Sequence, residues 1–160
     1  MDPQLASSLL EFSVLRQLSE GLIGFDKDLK LTPRVAAEVP TVENGGISAD
    51  GLPYTFKLRD GLIWSDGQPL TAGDFEFFLK RVLSPDLAAP YSSRFAAIQG
   101  GEEYMMAAEA EPAVKASLRE ALGISATSDD TLVITLAAPN LTFLQKIALV
   151  AGSPVREDAI

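Results

Sequence analysis

The chain of 160 residues contains no cysteine and no histidine. The first absence excludes disulfides, thiolate nucleophiles and cysteine-ligated zinc, and leaves the redox compartment unread. The second removes the Ser-His-Asp arrangement and histidine-metal sites. Basic residues are scarce too: 13 Lys and Arg stand against 22 Asp and Glu, a formal charge of -9. An acidic chain without a basic stripe argues against nucleic acid and against anionic membrane surfaces as partners. Nowhere is there a run near the ~20 apolar residues of a membrane span. The opening Met1-Asp2-Pro3-Gln4 lacks the basic and apolar regions of a signal peptide.

What remains is a globular composition, 47% hydrophobic, long enough for one domain with a real core or a core and a satellite lobe. Residues 7–22 read as a helix. Leu10, Val14, Leu18 and Leu22 fall four apart beside Leu15, which makes one face apolar, and Ser7 or Ser8 can cap its first turn. Leu22 to Phe25 is a short apolar run, and Asp26-Lys27-Asp28 a turn. Pro33, Pro40 and Pro53 break up the next segment, and Asn44-Gly45-Gly46 and Asp50-Gly51 predict a hairpin or meander.

Turn chemistry is densest from Tyr54 to Phe75. Tyr54, Phe56 and Leu58 alternate with Thr55, Lys57 and Arg59, the pattern of a half-buried strand. Asp60-Gly61 turns the chain, Leu62-Ile63-Trp64 reads as a second short strand, and Asp66-Gly67 turns it again. Thr71 to Asp74 resembles a capping box with Asp in the fourth place. Phe75, Phe78, Leu79 and Val82 then follow a helical period until Ser84-Pro85 stops it, and Trp64, Phe75 and Phe78 read as core. Glu102 to Leu122 is helical in composition, broken at Pro112 and closed by Gly123 as a C-cap candidate. Leu132 to Leu136 alternates as a strand after a Ser128-Asp129-Asp130 turn, and Asn140 to Val150 reads as a last helix, most firmly to Ala148.

Local physics stops at a mixed α/β or α+β domain. The motifs go further. Tyr54 to Gly61, then Trp64-Ser-Asp-Gly67, Pro69, Thr71-Ala72 and Asp74-Phe75, resemble the signature stretch of the family 5 extracellular solute-binding proteins, the peptide receptors of ABC importers. The same resemblance runs through Asp2-Pro3, Leu18 to Asp26, Ser84-Pro85, Pro90-Tyr91-Ser92, Leu132 to Pro139, Phe143-Leu144 and Ser153-Pro154-Val155. It implies a periplasmic-binding-protein-like type II α/β fold, present here in part as an amino-terminal portion of a longer receptor, with a small lobe holding a mixed sheet. Residues 1–30 and 139–160 would belong to the first ligand-binding lobe and residues 31–138 to the small lobe.

The implied function is binding of extended peptides for import, with an ABC transporter permease as partner, no cofactor, and a periplasmic or membrane-anchored extracytoplasmic location for the full-length parent. The resemblance also implies ligand contacts. Ungapped counting from Asp2-Pro3 to Glu20-Gly21 places a peptide-pairing segment at Ser7, Ser8 and Leu9, whose other reading is an ordinary helix cap. Tyr91 corresponds to a Tyr that reaches the peptide main chain; its other reading is a half-buried structural Tyr.

Two further functions compete. An enzyme would need paired carboxylates. Glu102/Glu103 point in different directions on a helix, and Asp129/Asp130 sit in a water-exposed turn, so neither pair suits acid-base work. A partner-binding or self-associating piece without a ligand site would act through apolar surface on the first and last helices, giving a homo-oligomer.

Overall fold

The computed structural model describes residues 2–149 and 153–160. Its elements run, in chain order, α1 (Leu9–Leu18), β1 (Ile23–Phe25), β2 (Leu31–Pro33), β3 (Pro53–Lys57), α2 (Ala72–Val82), α3 (Gly101–Met105), α4 (Pro112–Glu120), β4 (Ile124–Ser128), β5 (Thr131–Thr135) and α5 (Phe143–Ile147). Single 3-10 turns cover Ser92–Phe95 and Glu157–Ala159.

The central sheet has the order β3-β5-β4, with Tyr54 opposite Ile134 and Phe56 opposite Leu132. These alternate residues are all buried, so period two sets the register against the core. The strands expected at Tyr54–Arg59 and Leu132–Leu136 do share one sheet, but its pairings are antiparallel rather than mixed. The tight Asp129-Asp130 turn between β4 and β5 permits no other direction.

Helix α2 packs on this sheet. Its N-terminus is fixed as the capping box predicts, the Thr71 N–H donating to the Asp74 carboxylate at 2.8 Å. Phe75, Phe78, Leu79 and Val82 are all buried, each contributing about 1.5–3 kcal/mol relative to exposure. Lys80 is buried as well. It pairs with Glu76 at 2.9 Å and Glu120 at 3.6 Å, while Glu76 also accepts the Ala126 N–H at 2.7 Å. One carboxylate thus ties α2 to the β4 edge.

Several expectations change. Helix α1 ends at Leu18, and of its apolar residues only Leu15 is buried; Leu10 and Leu18 are 81% and 73% exposed. The period-four stripe is real, yet nothing among the described residues covers it. Leu22, expected on that helix, enters the core just beyond it. Leu62-Ile63-Trp64 is not a strand. The segment closes on itself through the Trp64 N–H to Gln68 O and the Leu70 N–H to Leu62 O, with one isolated bridge from Ile63 to Pro69. Trp64 is only partly buried, and its Nε1–H lies buried with no acceptor among the described residues. Pro112 breaks the long helix as expected, opening α4 from its first turn. Gly123 is no helix cap, since α4 ends earlier, at the Ala121 cap. The last helix is shorter than expected, starting at Phe143 after an Asn140 side chain that accepts the Thr142 N–H at 3.0 Å; Val150 lies outside the described residues.

Three strands carry no sequence expectation above. β1 and β2 are a three-residue pair around the Asp26 turn, where the Asp26 carboxylate accepts the Asp28 and Lys30 N–H groups at 2.8 and 2.9 Å. β4 is an edge strand with a bulge between Ala126 and Ser128. The core is one continuous cluster from Leu22 to Val155, and α5 packs beside β1.

Candidate functional site

The segment before α1 is anchored to α2 from several sides. Gln4 is buried, its side-chain amide donating to the Phe78 carbonyl at 2.8 Å and its oxygen accepting from Arg81. Arg81 also pairs with Asp2 at 2.7 Å. Burial pushes the Asp2 carboxyl up, but the Arg81 and Gln4 hydrogen bonds outweigh it and hold the group below its ordinary value. This clamp fixes where α1 starts.

Ser8 is the N-cap of α1, in a complete capping box with Glu11. The Ser7 and Ser8 N–H groups donate to Glu11 Oε2 at 3.0 and 2.9 Å, and the Ser8 hydroxyl at 2.7 Å. The Ser7 N–H is the foremost of the three donors that hold the Glu11 carboxyl below its usual range. The Ser8 carbonyl accepts the Phe12 N–H inside the helix.

Tyr91 stands directly over this corner. Its hydroxyl donates to the Ser7 carbonyl at a long 3.5 Å, across 84 residues of sequence. Its ring meets Phe12 at 5.4 Å between centroids, tilted by 52°. The Arg94 guanidinium carbon lies 4.2 Å from the same ring centroid, a cation–π contact. A groove of about 300 Å³ opens there, lined by Leu9, Phe12, Ser13, Arg16, Tyr91 and Arg94 with Leu149.

All four residues singled out in the sequence therefore meet at one corner, in different roles. Leu9 and Tyr91 line the groove. Ser7 enters through its carbonyl, and Ser8 serves as the helix cap. The backbone donors of Ser7 and Ser8 are occupied by Glu11 in this structure, whereas the Leu9 N–H has no acceptor among the described residues. Phe12, Arg16 and Arg94 were not singled out. Their signals were spacing: Phe12 and Arg16 lie four apart on α1, and Arg94 follows Tyr91 by three in a 3-10 turn, where such residues eclipse.

A second cavity, about 650 Å³, lies between the start of the chain and its last segment, walled by Leu15, Leu18, Trp64, Val155 and Ile160, with Arg81 and Arg156 at its polar side. Arg156 is committed there to Asp66 and Asp158, both at 2.6 Å. No group of three or more metal-ligating side chains exists among the described residues, nor any helix long and apolar enough to cross a membrane.

Comparison with known proteins agrees with this architecture. The dipeptide-binding protein DppE of Bacillus subtilis is 33% identical over 156 residues, 98% of this chain and 26% of that protein. The periplasmic oligopeptide-binding protein OppA of Escherichia coli is 32% identical over 162 residues, 100% of this chain and 27% of that protein. Among solved structures, Listeria monocytogenes OppA bound to peptide superposes with a TM-score of 0.82 at 34% identity, covering 98% of this chain and 28% of that one. The chain thus spans about a quarter of the length of these relatives. Its fold is α/β, the corresponding part of the periplasmic-binding-protein type II fold. A family profile described as bacterial extracellular solute-binding proteins, family 5 Middle, matches residues 3–159, and the chain belongs to that family.

Proposed function

We propose that this chain forms one wall of a peptide-binding cleft in the extracytoplasmic substrate-binding component of a peptide ABC importer, handing its ligand to a permease, and that it acts by binding rather than catalysis. The observation that carries the reading is the Tyr91–Ser7 corner, where a phenol reaches the backbone ahead of α1 beside a small groove that Tyr91 and Leu9 line. A receptor that accepts varied side chains must grip the main chain, which all peptides share. A phenol suits this, since it stacks on apolar surface and both donates and accepts hydrogen bonds. The relatives named as peptide-binding proteins, and the Listeria structure holding a peptide, support the same reading.

In this reading residues 1–30 and 139–160 belong to the ligand-binding lobe and residues 31–138 to the small lobe. The packing of α5 against β1 supports the first grouping, as does the cavity shared by Leu15 and Val155. Peptide bound to this wall alone stays wet on its far side, so affinity is weak, about 1 mM. In a chain of the relatives' full length, Tyr91→Phe removes one hydrogen bond and weakens binding by about 0.5–1.5 kcal/mol, up to roughly tenfold. Isothermal titration with a di- to pentapeptide pool checks both values. Micromolar binding by the 160-residue chain, or unchanged affinity in Tyr91→Phe, contradicts the reading.

A second behaviour is favoured by the bare stripe on α1. Leu10, Val14 and Leu18 are exposed along one face, and Leu141 and Ile160 are exposed elsewhere. Apolar surface of this kind drives association. The isolated chain is expected to sediment as dimers or larger species at high concentration, and Leu10→Lys with Leu18→Lys to shift it to monomer. An unsubstituted 160-residue chain that is monomeric throughout the concentration range removes this reading and leaves the peptide reading intact.

A further inference from the structure

We propose that the Tyr91 groove recognises a carboxylate of its ligand through Arg16 and Arg94. The proposal rests on the peptide reading above and specifies what the peptide presents to this wall. Both guanidinium groups line the same groove of about 300 Å³. Neither is paired with a carboxylate among the described residues, although Arg34, Arg81, Arg119 and Arg156 all are. Arg59 is the other arginine without a carboxylate partner among the described residues, and it is exposed and does not line the groove.

The setting makes the two free cations informative. The chain carries a formal charge of -9, so acidic partners are abundant. Two like charges in one groove repel, and no carboxylate lines it among the described residues. Glu11, on the same helix, is held away by its three hydrogen bonds from Ser7 and Ser8. The Ser13 hydroxyl is also committed, donating to the Leu9 carbonyl at 2.8 Å.

Arg94 is moreover pre-positioned. Its guanidinium carbon lies 4.2 Å from the Tyr91 ring centroid, and its N–H edge donates no hydrogen bond among the described residues. That edge matches the two oxygens of a carboxylate, and a charge-assisted pair of this kind is stronger than a neutral hydrogen bond. Two parts of a peptide offer this chemistry: its C-terminal carboxylate and an acidic side chain.

The test uses the isotope-labelled chain and follows the Arg16 and Arg94 Nε–H signals together with the Ser7 and Tyr91 signals by NMR. The probes are trialanine as free acid, trialanine amide, Ala-Glu-Ala amide, Ala-Gln-Ala amide and acetate. Trialanine acid is expected to bind about tenfold more tightly than its amide and to move both arginine signals. Arg16→Gln and Arg94→Gln each reduce that preference towards one. A preference of Ala-Glu-Ala amide over Ala-Gln-Ala amide assigns the site to acidic side chains, and a preference confined to the free acid assigns it to the C-terminus. Equal binding of acid and amide, with Ser7 and Tyr91 moving for both, overturns the carboxylate site and leaves the peptide reading standing. Arginine shifts that acetate reproduces at equal affinity keep the carboxylate site and remove the peptide reading. No movement with any probe overturns both.

Discussion

Phe78→Ala is expected to destabilise the chain by about 3–5 kcal/mol, a large part of the 5–15 kcal/mol typical of a domain. Phe78 is 1% exposed at the centre of α2, and its ring meets Phe95 edge to face at 5.9 Å and 89°. Truncation removes the transfer energy of the ring and leaves a cavity that rigid neighbours fill poorly. Phe95 is itself fully buried and ends the 3-10 turn that carries Arg94 and follows Tyr91. The Phe78 carbonyl, in turn, holds Gln4 and so the start of α1. Both sides of the groove therefore hang on this one position. Urea denaturation should show a lower midpoint with unchanged slope, and the Tyr91–Ser7 signals should broaden before global unfolding. Phe78→Leu keeps most of the volume and should cost less than about 1.5 kcal/mol. A loss below 1 kcal/mol in Phe78→Ala would place the core elsewhere.

The sequence was most legible where two kinds of signal agree. For α2, a capping box, a helical apolar period and a Ser-Pro stop all mark the same eleven residues. For β3 and β5, alternation alone sufficed, because every second residue is buried. β4 escaped because only Ile124 is buried among its five residues; an edge strand with polar neighbours has no periodic mark. β1 and β2 are too short to show any period. The α1 stripe was legible as apolar, and it stands exposed as the self-association reading expects, although periodicity by itself records which face is greasy and nothing about what meets it. The groove divides in the same way. Tyr91 stood out through a family motif and the Ser7–Leu9 segment through counting between two such motifs, whereas Arg94 depends on a cation–π contact that only coordinates reveal.

Gly123→Ala is the second large effect, expected at about 2–3 kcal/mol. The cause is space rather than torsion, because Gly123 is not among the glycines with positive φ. A methyl group there would sit 2.6 Å from the Thr135 carbonyl oxygen, 2.8 Å from Gln99 Cβ and 3.1 Å from Thr135 Cβ. Two of those atoms belong to the rim of β5, and the backbone has no freedom to retreat. The Gly123 N–H donates to Gln99 O at 2.9 Å, its carbonyl accepts the Thr135 N–H at 2.7 Å, and the Gln99 N–H donates to Thr135 O at 2.9 Å. Relief of the clash must stretch at least one of these three bonds, each worth about 0.5–1.5 kcal/mol, on top of ordinary overpacking strain. Gly61→Ala serves as the comparison. Gly61 has φ +71° and open space around its Cβ position, so only the left-handed penalty of about 1–2 kcal/mol applies. Thermal or urea unfolding of the two variants should rank Gly123→Ala as the less stable, and hydrogen exchange should show protection lost at Gln99, Gly123 and Thr135 and retained in α2. Equal stabilities, or unchanged protection at those three amides, would mean that β5 and the Gln99 loop can part without cost, and the close approach would then explain nothing about why glycine stands there.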